Sequence, residues 1–282
     1  MATNINPPTL KKIFQINRYQ ISVTYFITIL ENLFELLYPW AIGIAINGLF
    51  QQKYLTLLPL FGAWFSHIVV GLLRQIYDTK VFTKIYSKLV TSIISDQDKR
   101  GVATSKIIAR SYLSRELVIF FERDIPTMIT TLFGFFGALG MLFIYDLSIG
   151  SYCLALLVPL IIINFFYSRK SRYFNSQLNN QLEQEVEILS DRHPDRIAHH
   201  YSSLRQWRIR LSNAEAKNWG TIQLLIMGIA VAVLLHTVKL PHINTGDVYA
   251  IVSYFFSYLE SLDKIPFLVQ QFGRLQDINE RI

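Results

Sequence analysis

The chain has 282 residues, of which 51% are apolar and 17% charged, with a formal net charge of +7. That apolar content is too high for an ordinary soluble domain and is blocked into runs long enough to cross a bilayer. One cysteine, Cys153, excludes a disulfide framework and a cysteine-based metal site, and the basic excess lacks the aromatic-interleaved module of a nucleic-acid binder.

Residues 1–8 read as a polar, proline-containing tail. Residues 9–18 read as a short interfacial helix, with Ile13 and Phe14 toward lipid and Lys11 and Lys12 toward headgroups. Apolar spans follow at about 20–48, 55–77, 125–145, 147–167, 219–238 and 246–266. The first has no cleavage site and is too long for a signal peptide, so it is expected to be retained. The loops at Gln51–Tyr54, Tyr145–Leu147 and Thr237–Thr245 are short. The alternate stretches, about 78–124 and 168–218, are long and basic. Of 27 Lys and Arg, nine lie from Lys80 to Arg123 and nine from Arg169 to Lys217. Lys11, Lys12 and Arg18 precede the first span, and Lys264, Arg274 and Arg281 close the chain. Basic residues are retained on the cytoplasmic face, so both termini and both long stretches are expected there.

The long stretches keep helical periodicity. Val81/Phe82, Ile85/Tyr86, Leu89/Val90 and Ile93/Ile94 recur with Lys80, Lys84 and Lys88 on another face, which predicts one helix over 55–95. Such a helix is roughly 60 Å long against a hydrocarbon core of about 30 Å, so it projects beyond the membrane. It turns at 96–101 and returns through Ile107, Ile108, Leu113, Leu117 and Phe120. In the second stretch Leu178, Leu182, Val186 and Leu189 space at three and four. That run stops at 191–196, where Pro194 disfavours a continuous helix, and Leu204, Trp207 and Leu211 lead back. The reading is an all-α membrane protein of six transmembrane helices with long cytoplasmic helical extensions.

This layout resembles the transmembrane domain of ATP-binding-cassette exporters of type 1. Its most specific stretch is the end, where Thr245-Gly246-Asp247, a Tyr-containing apolar span and Glu280-Arg281-Ile282 look like the family's last helix. The segment FIYDLSIGSYCLALLVPLIIINFFYSRKSR resembles its third-to-fourth helix turn and fourth helix. The first span, with Pro39 and Asn47, resembles its first. Pro266 lies later than the family's proline. The stretch SKIIARSYLSRELVIFFERDIP looks like a stand-alone six-helix subfamily. Residues 1–18 then form a tail and interfacial helix, and 19–282 the transporter-like domain.

The resemblance implies export and docking of the two cytoplasmic tips on ATPase domains. Asp98, Lys99 and Arg100 of one tip and Asp191, Arg192 and Asp195 of the other become coupling candidates. The sequence has no Gly-x-x-x-x-Gly-Lys-Ser/Thr loop and no Leu-Ser-Gly-Gly-Gln signature. It is therefore expected to hold no cofactor itself and to use ATP and magnesium on a separate nucleotide-binding subunit. A homodimer or heterodimer in the plasma (inner) membrane follows from the same resemblance. A membrane scaffold or regulator with this fold, or a proton- or ion-coupled carrier, are the alternatives.

Glu31 and Glu35, four apart on one helix face, lie about 18 and 24 Å along the helix from Tyr19. Carboxylates at that depth face a watered cavity or a partner. They are either a cation-attracting or proton-carrying lining, with His67, or structurally paired with His67 or Arg74. Arg74 alone reads as snorkelling to headgroups. Glu260, about 20 Å from Asp247, is a further cavity candidate. Gly134, Gly137 and Gly140 form a packing stripe. His193, His199 and His200 fit no tight ligand spacing, and no metal is expected.

Overall fold

The computed structural model describes residues 10–281, with side chains for all of these except 10–12, 105–106, 109–110, 113 and 267–281. The expectations on the tail 1–8, on Lys11, Lys12 and Leu113, and on the closing Glu280-Arg281-Ile282 therefore lie outside the described residues or side chains.

The described chain is helical throughout: α1 Leu10–Leu36, α2 Tyr38–Phe50, a 3-10 turn Tyr54–Leu57, α3 Leu58–Lys99, α4 Thr104–Ile119, a π-helical turn Phe120–Asp124, α5 Ile125–Tyr145, α6 Leu147–Glu183, α7 Glu185–Ser190, α8 Pro194–Lys239 and α9 Thr245–Arg281. Among the described residues five helical stretches are long and apolar enough to cross a membrane, Ile13–Phe50, Tyr54–Lys99, Ser114–Tyr145, Leu147–Ser190 and Pro194–Lys239. The expected sixth span, in α9, is not among them. Asp247, Glu260, Asp263 and Lys264 dilute its apolar run, while Ala250, Ile251, Tyr254 and Tyr258 are fully buried. A helix sheltered by protein on one side needs fewer lipophilic residues than one bathed in lipid.

The helix ends follow from local chemistry. Leu37 separates α1 from α2 because Pro39 has no N–H to return to the preceding turn. The hydroxyl of Tyr254 donates to the Leu36 carbonyl there at 2.8 Å. The helix expected over 55–95 is observed as the 42-residue α3, which carries Pro59 in its first turn and stops two residues before Gly101, whose φ of +65° suits glycine. At 1.5 Å per residue it is about 63 Å long, twice a bilayer core. The π-helical turn was not anticipated. It lies just before Pro126, which cannot donate to the Glu122 carbonyl, so the ladder widens there. Pro266, by contrast, sits inside α9 without ending it.

The chain divides into two units, one made of α1–α5 with α9, the other of residues Asp146–Pro241, that is α6–α8. In the first, α9 packs on α5 and α2, α1 on α3 and α5, and α3 on α4. Its core joins Ile13, Ile21, Phe82, Ile85, Leu117 and Phe121. Ile13 is thus buried rather than lipid-facing, because α1 leaves helical geometry at Asn17 and its first turns fold onto that core. Phe14 stacks on Phe121 at 6.4 Å between ring centres. Close approach of α2 and α9 requires glycine: a Cβ on Gly43 would lie 2.6 Å from the Gly246 carbonyl oxygen. Asn47 Oδ1 accepts the Gly246 N–H at 2.8 Å, so two residues 199 apart in sequence tie the first span to the last. Gly134 and Gly137 of the predicted stripe meet Ser261 and Leu36, whereas Gly140 faces open space.

In the second unit α6 and α8 run against each other. Asp146 caps α6, accepting the N–H groups of Ser148 and Ile149 at 2.8 and 3.1 Å. His236 Nε2 lies 3.0 Å from the same carboxylate oxygen and closes this end of the hairpin. Burial raises the Asp146 carboxyl, but the Ile149 and Ser148 N–H groups and the His236 ring outweigh it and hold it below its ordinary value. Toward the other end His200 is buried, with Nδ1 3.0 Å from Gln181 Nε2.

Candidate functional site: a charged cavity on the first unit

On α3, Trp64, His67, Gly71, Arg74 and Asp78 are spaced three, four, three and four residues apart, which places them on one helical stripe. This stripe faces α1 and borders a cavity of about 890 Å³ whose lining also includes Glu31, Tyr38, Glu122 and Arg123.

Arg74 is the centre of the site. Its Nε pairs with Glu31 Oε2, and its Nη1 lies 3.4 Å from Asp78 Oδ2. Glu31 and Asp78 are largely buried, with side chains 17% and 10% exposed, so their charges need this partner. Gly71 allows the arrangement: a Cβ there would sit 3.0 Å from Glu31 Oε1. The snorkelling reading of Arg74 is therefore replaced. A carboxylate one helix away and another four residues on provide more than headgroups do.

His67 bridges the charged and aromatic ends. Its Nε2 is 3.8 Å from Glu31 Oε1, an electrostatic rather than hydrogen-bonding distance, and its Nδ1 meets the Tyr38 hydroxyl. Assigning the ring proton to Nε2 directs it at the carboxylate and leaves Nδ1 to accept from Tyr38. Trp64 packs on Tyr38 at 6.3 Å between ring centres. Beside Glu31, Asn32 is buried and donates from Nδ2 to the Thr28 carbonyl at 2.7 Å and to Thr130 Oγ1 at 3.1 Å, which locks the rotation of α1 against α5. At the far end Arg123 Nε lies 3.4 Å from the buried Asp124. The cavity's acids Glu31, Asp78 and Glu122 thus face the bases Arg74 and Arg123, a nearly balanced set rather than a bare acidic lining.

Of the sequence candidates, Glu31 and His67 come together here. Glu35, one turn on, is exposed and does not line the cavity. Glu260 on α9 is elsewhere, with its side chain 70% exposed and paired with Lys264 at 2.8 Å. The coupling candidates lie at the ends of the long helices. Asp98 and Lys99 close α3, the Asp98 carbonyl accepts from the Gly101 N–H at 2.9 Å, and Arg100 pairs with Asp96 at 3.0 Å. In the other unit Asp191 pairs with Arg196 across the turn before α8. Arg192 has a positive φ of 50°, and Asp195 stands in the first turn of α8.

Sequence reasoning missed Asp78, Tyr38, Trp64 and the π-helical turn that brings in Glu122 and Arg123. The stripe from Trp64 to Asp78 carried the signal for two of these, Trp64 and Asp78, since polar and aromatic residues at helical spacing inside an apolar span share one face.

A family model described as the ABC transporter transmembrane region matches residues 10–246. The chain belongs to this family. No curated protein sequence matches it. Among solved structures, a bacterial Atm1-family ABC exporter with ATP bound has the same fold, with a TM-score of 0.59 at 12% identity. The match covers 95% of this chain and 53% of that exporter, so the chain spans about half its length. It is accordingly an all-α integral membrane protein of the ABC transporter transmembrane family.

Proposed function

We propose that the chain is the membrane subunit of an ABC-type transporter and forms its translocation pathway as a dimer. A separately encoded nucleotide-binding ATPase would drive it. The observation that carries this reading is the length of α3, α6 and α8, at 42, 37 and 46 residues. Each is about 55–70 Å long where a bilayer core needs about 30 Å. Solvated turns alone do not require such stalks, whereas tips that receive force from a partner do. These 282 residues contain no phosphate-binding loop, and in this scheme ATP and its magnesium are held by the nucleotide-binding subunit.

In this scheme α9 is the sixth crossing, and the basic stretches place both tips and both termini on the cytoplasmic side of the plasma membrane. ATP binding draws the tips at 96–101 and 191–196 together, and the long helices transmit the movement into the membrane. The Arg74 cluster joins α1 to α3 so that these helices move as one body. Its pairing with Arg74 weighs against Glu31 as a free proton carrier.

Cysteine at the tips tests the docking. Cys153 is buried, so D98C and D191C variants add reactive thiols over a low background. Both are expected to cross-link to a co-expressed nucleotide-binding subunit, while K53C on the opposite side does not. Equal labelling at all three positions, or none with any ATPase, refutes the reading.

A further inference from the structure

A second hollow, of about 420 Å³, lies at the bend of α1 and is lined by Asn17, Arg18, Tyr19 and Gln20 together with Lys84 and Lys88 of α3. Its charge is unopposed. There is no Asp or Glu in residues 1–30 or 79–95. Among the described residues the Arg and Lys ion pairs involve Arg74, Arg100, Arg123, Arg196 and Lys264, none of which lines this hollow. Three converging cations with amide donors beside them match the oxygens of a phosphate.

Depth and surroundings narrow the source. Lys84 is 26 residues beyond Leu58 in one continuous helix. That is about 39 Å by helical rise, past a core of about 30 Å and inside a bilayer of about 40–45 Å with its headgroups. The neighbouring side chains of Ile16 and Tyr19 are 71% and 78% exposed, an apolar rim that a soluble phosphate leaves unused and a lipid's acyl chains cover. The bend makes the hollow. Asn17 departs from helical geometry, with φ −113° and ψ 19°, while its Nδ2 donates to the Ile13 carbonyl at 3.1 Å and holds the bent shape.

We propose that this hollow binds the phosphate of an anionic phospholipid, with Arg18, Lys84 and Lys88 on the headgroup and Ile16 and Tyr19 against the chains. The inference needs only that the protein is membrane-embedded and stands apart from the transport reading.

The test is native mass spectrometry of the detergent-purified full chain, titrated with phosphatidylglycerol, phosphatidylcholine or glycerol 3-phosphate. Wild type is expected to bind phosphatidylglycerol about a hundredfold more tightly than R18Q/K84Q/K88Q, at about fivefold per cation. Phosphatidylcholine should not distinguish them, and glycerol 3-phosphate should not compete at equal concentration. K170Q/R172Q/R208Q, which removes exposed cations from α6 and α8, should leave binding intact. The single variants K84Q and K88Q, each expected to lose about fivefold, decide the matter if the triple variant does not fold. Undiminished phosphatidylglycerol binding in the hollow variants, equal loss in the α6/α8 variant, or competition by glycerol 3-phosphate each overturns the proposal.

Discussion

Replacing Arg74 with methionine removes the cation between Glu31 and Asp78 and leaves two carboxylates in a confined space. Their side chains are 17% and 10% exposed, so little water replaces the lost partner. Breaking a fully buried pair costs about 3–5 kcal/mol. The adjoining cavity and the 30% exposure of Arg74 reduce this to about 2–3 kcal/mol. For a chain of this size that corresponds to a fall in Tm of roughly 4–8 °C in detergent. Removing the charges with the cation should recover most of it, because apolar or neutral packing replaces a buried triad at little net cost. E31Q/R74M/D78N is therefore expected within about 1 kcal/mol of wild type. The assay is thermal unfolding followed by loss of the monodisperse peak on size exclusion, with E31Q, R74M and the double variant forming a cycle. An R74M protein as stable as wild type, or a triple variant no better than R74M, would refute the account of this cluster.

Further expectations concern packing, capping and the tips. G43A should be costly, about 1–3 kcal/mol, since its Cβ meets a backbone carbonyl at 2.6 Å; G137A meets the end of the Leu36 side chain at 2.9 Å and should cost less; G140A faces open space and should be neutral or stabilising, all by thermal unfolding. D146A should lose about 1 kcal/mol by removing the α6 cap, whereas D146N keeps an acceptor there. Because the folded-state Asp146 carboxyl lies below its unfolded value of 3.8, its contribution is complete above pH 3.8 and fades as pH falls through the folded value. The stability–pH curves of wild type and D146N should therefore converge on acidification, and parallel curves would refute this. Charge reversal at the exposed tip residues Asp98 and Asp191 should leave Tm unchanged while cutting ATPase coupling at least tenfold; a scaffold without a motor would show no coupling to lose.

The helical hairpins were legible because Lys80, Lys84 and Lys88 alternate with apolar pairs past the length a bilayer needs, and because Pro194 and Gly101 punctuate the chain. The candidate site was legible only in part. Glu31 and His67 stood out as ionisable residues in apolar spans, and pairing with Arg74 was one of the open readings. Asp78 was hidden because it sits where the span gives way to the charged stretch, where an acid raises no alarm. Glu35 was grouped with Glu31 by spacing, although only one of them faces α3. The contacts of Asn47 with Gly246 and of Asp146 with His236 join residues 199 and 90 positions apart, and no local periodicity encodes such meetings. The break at Asn17 was legible, since residues 9–18 read as a helix separate from the span that starts near 20; its direction was not, because Ile13 joins Phe82 and Phe121 in a core that no local pattern encodes.

The most direct test of the central claim is ATP hydrolysis by a co-encoded nucleotide-binding subunit in nanodiscs, with and without this chain. The account predicts that hydrolysis rises when the chain is present and falls back to the subunit-alone rate with D98K/D191K. Hydrolysis indifferent to the chain, or stimulation unchanged by the reversed tips, would contradict it.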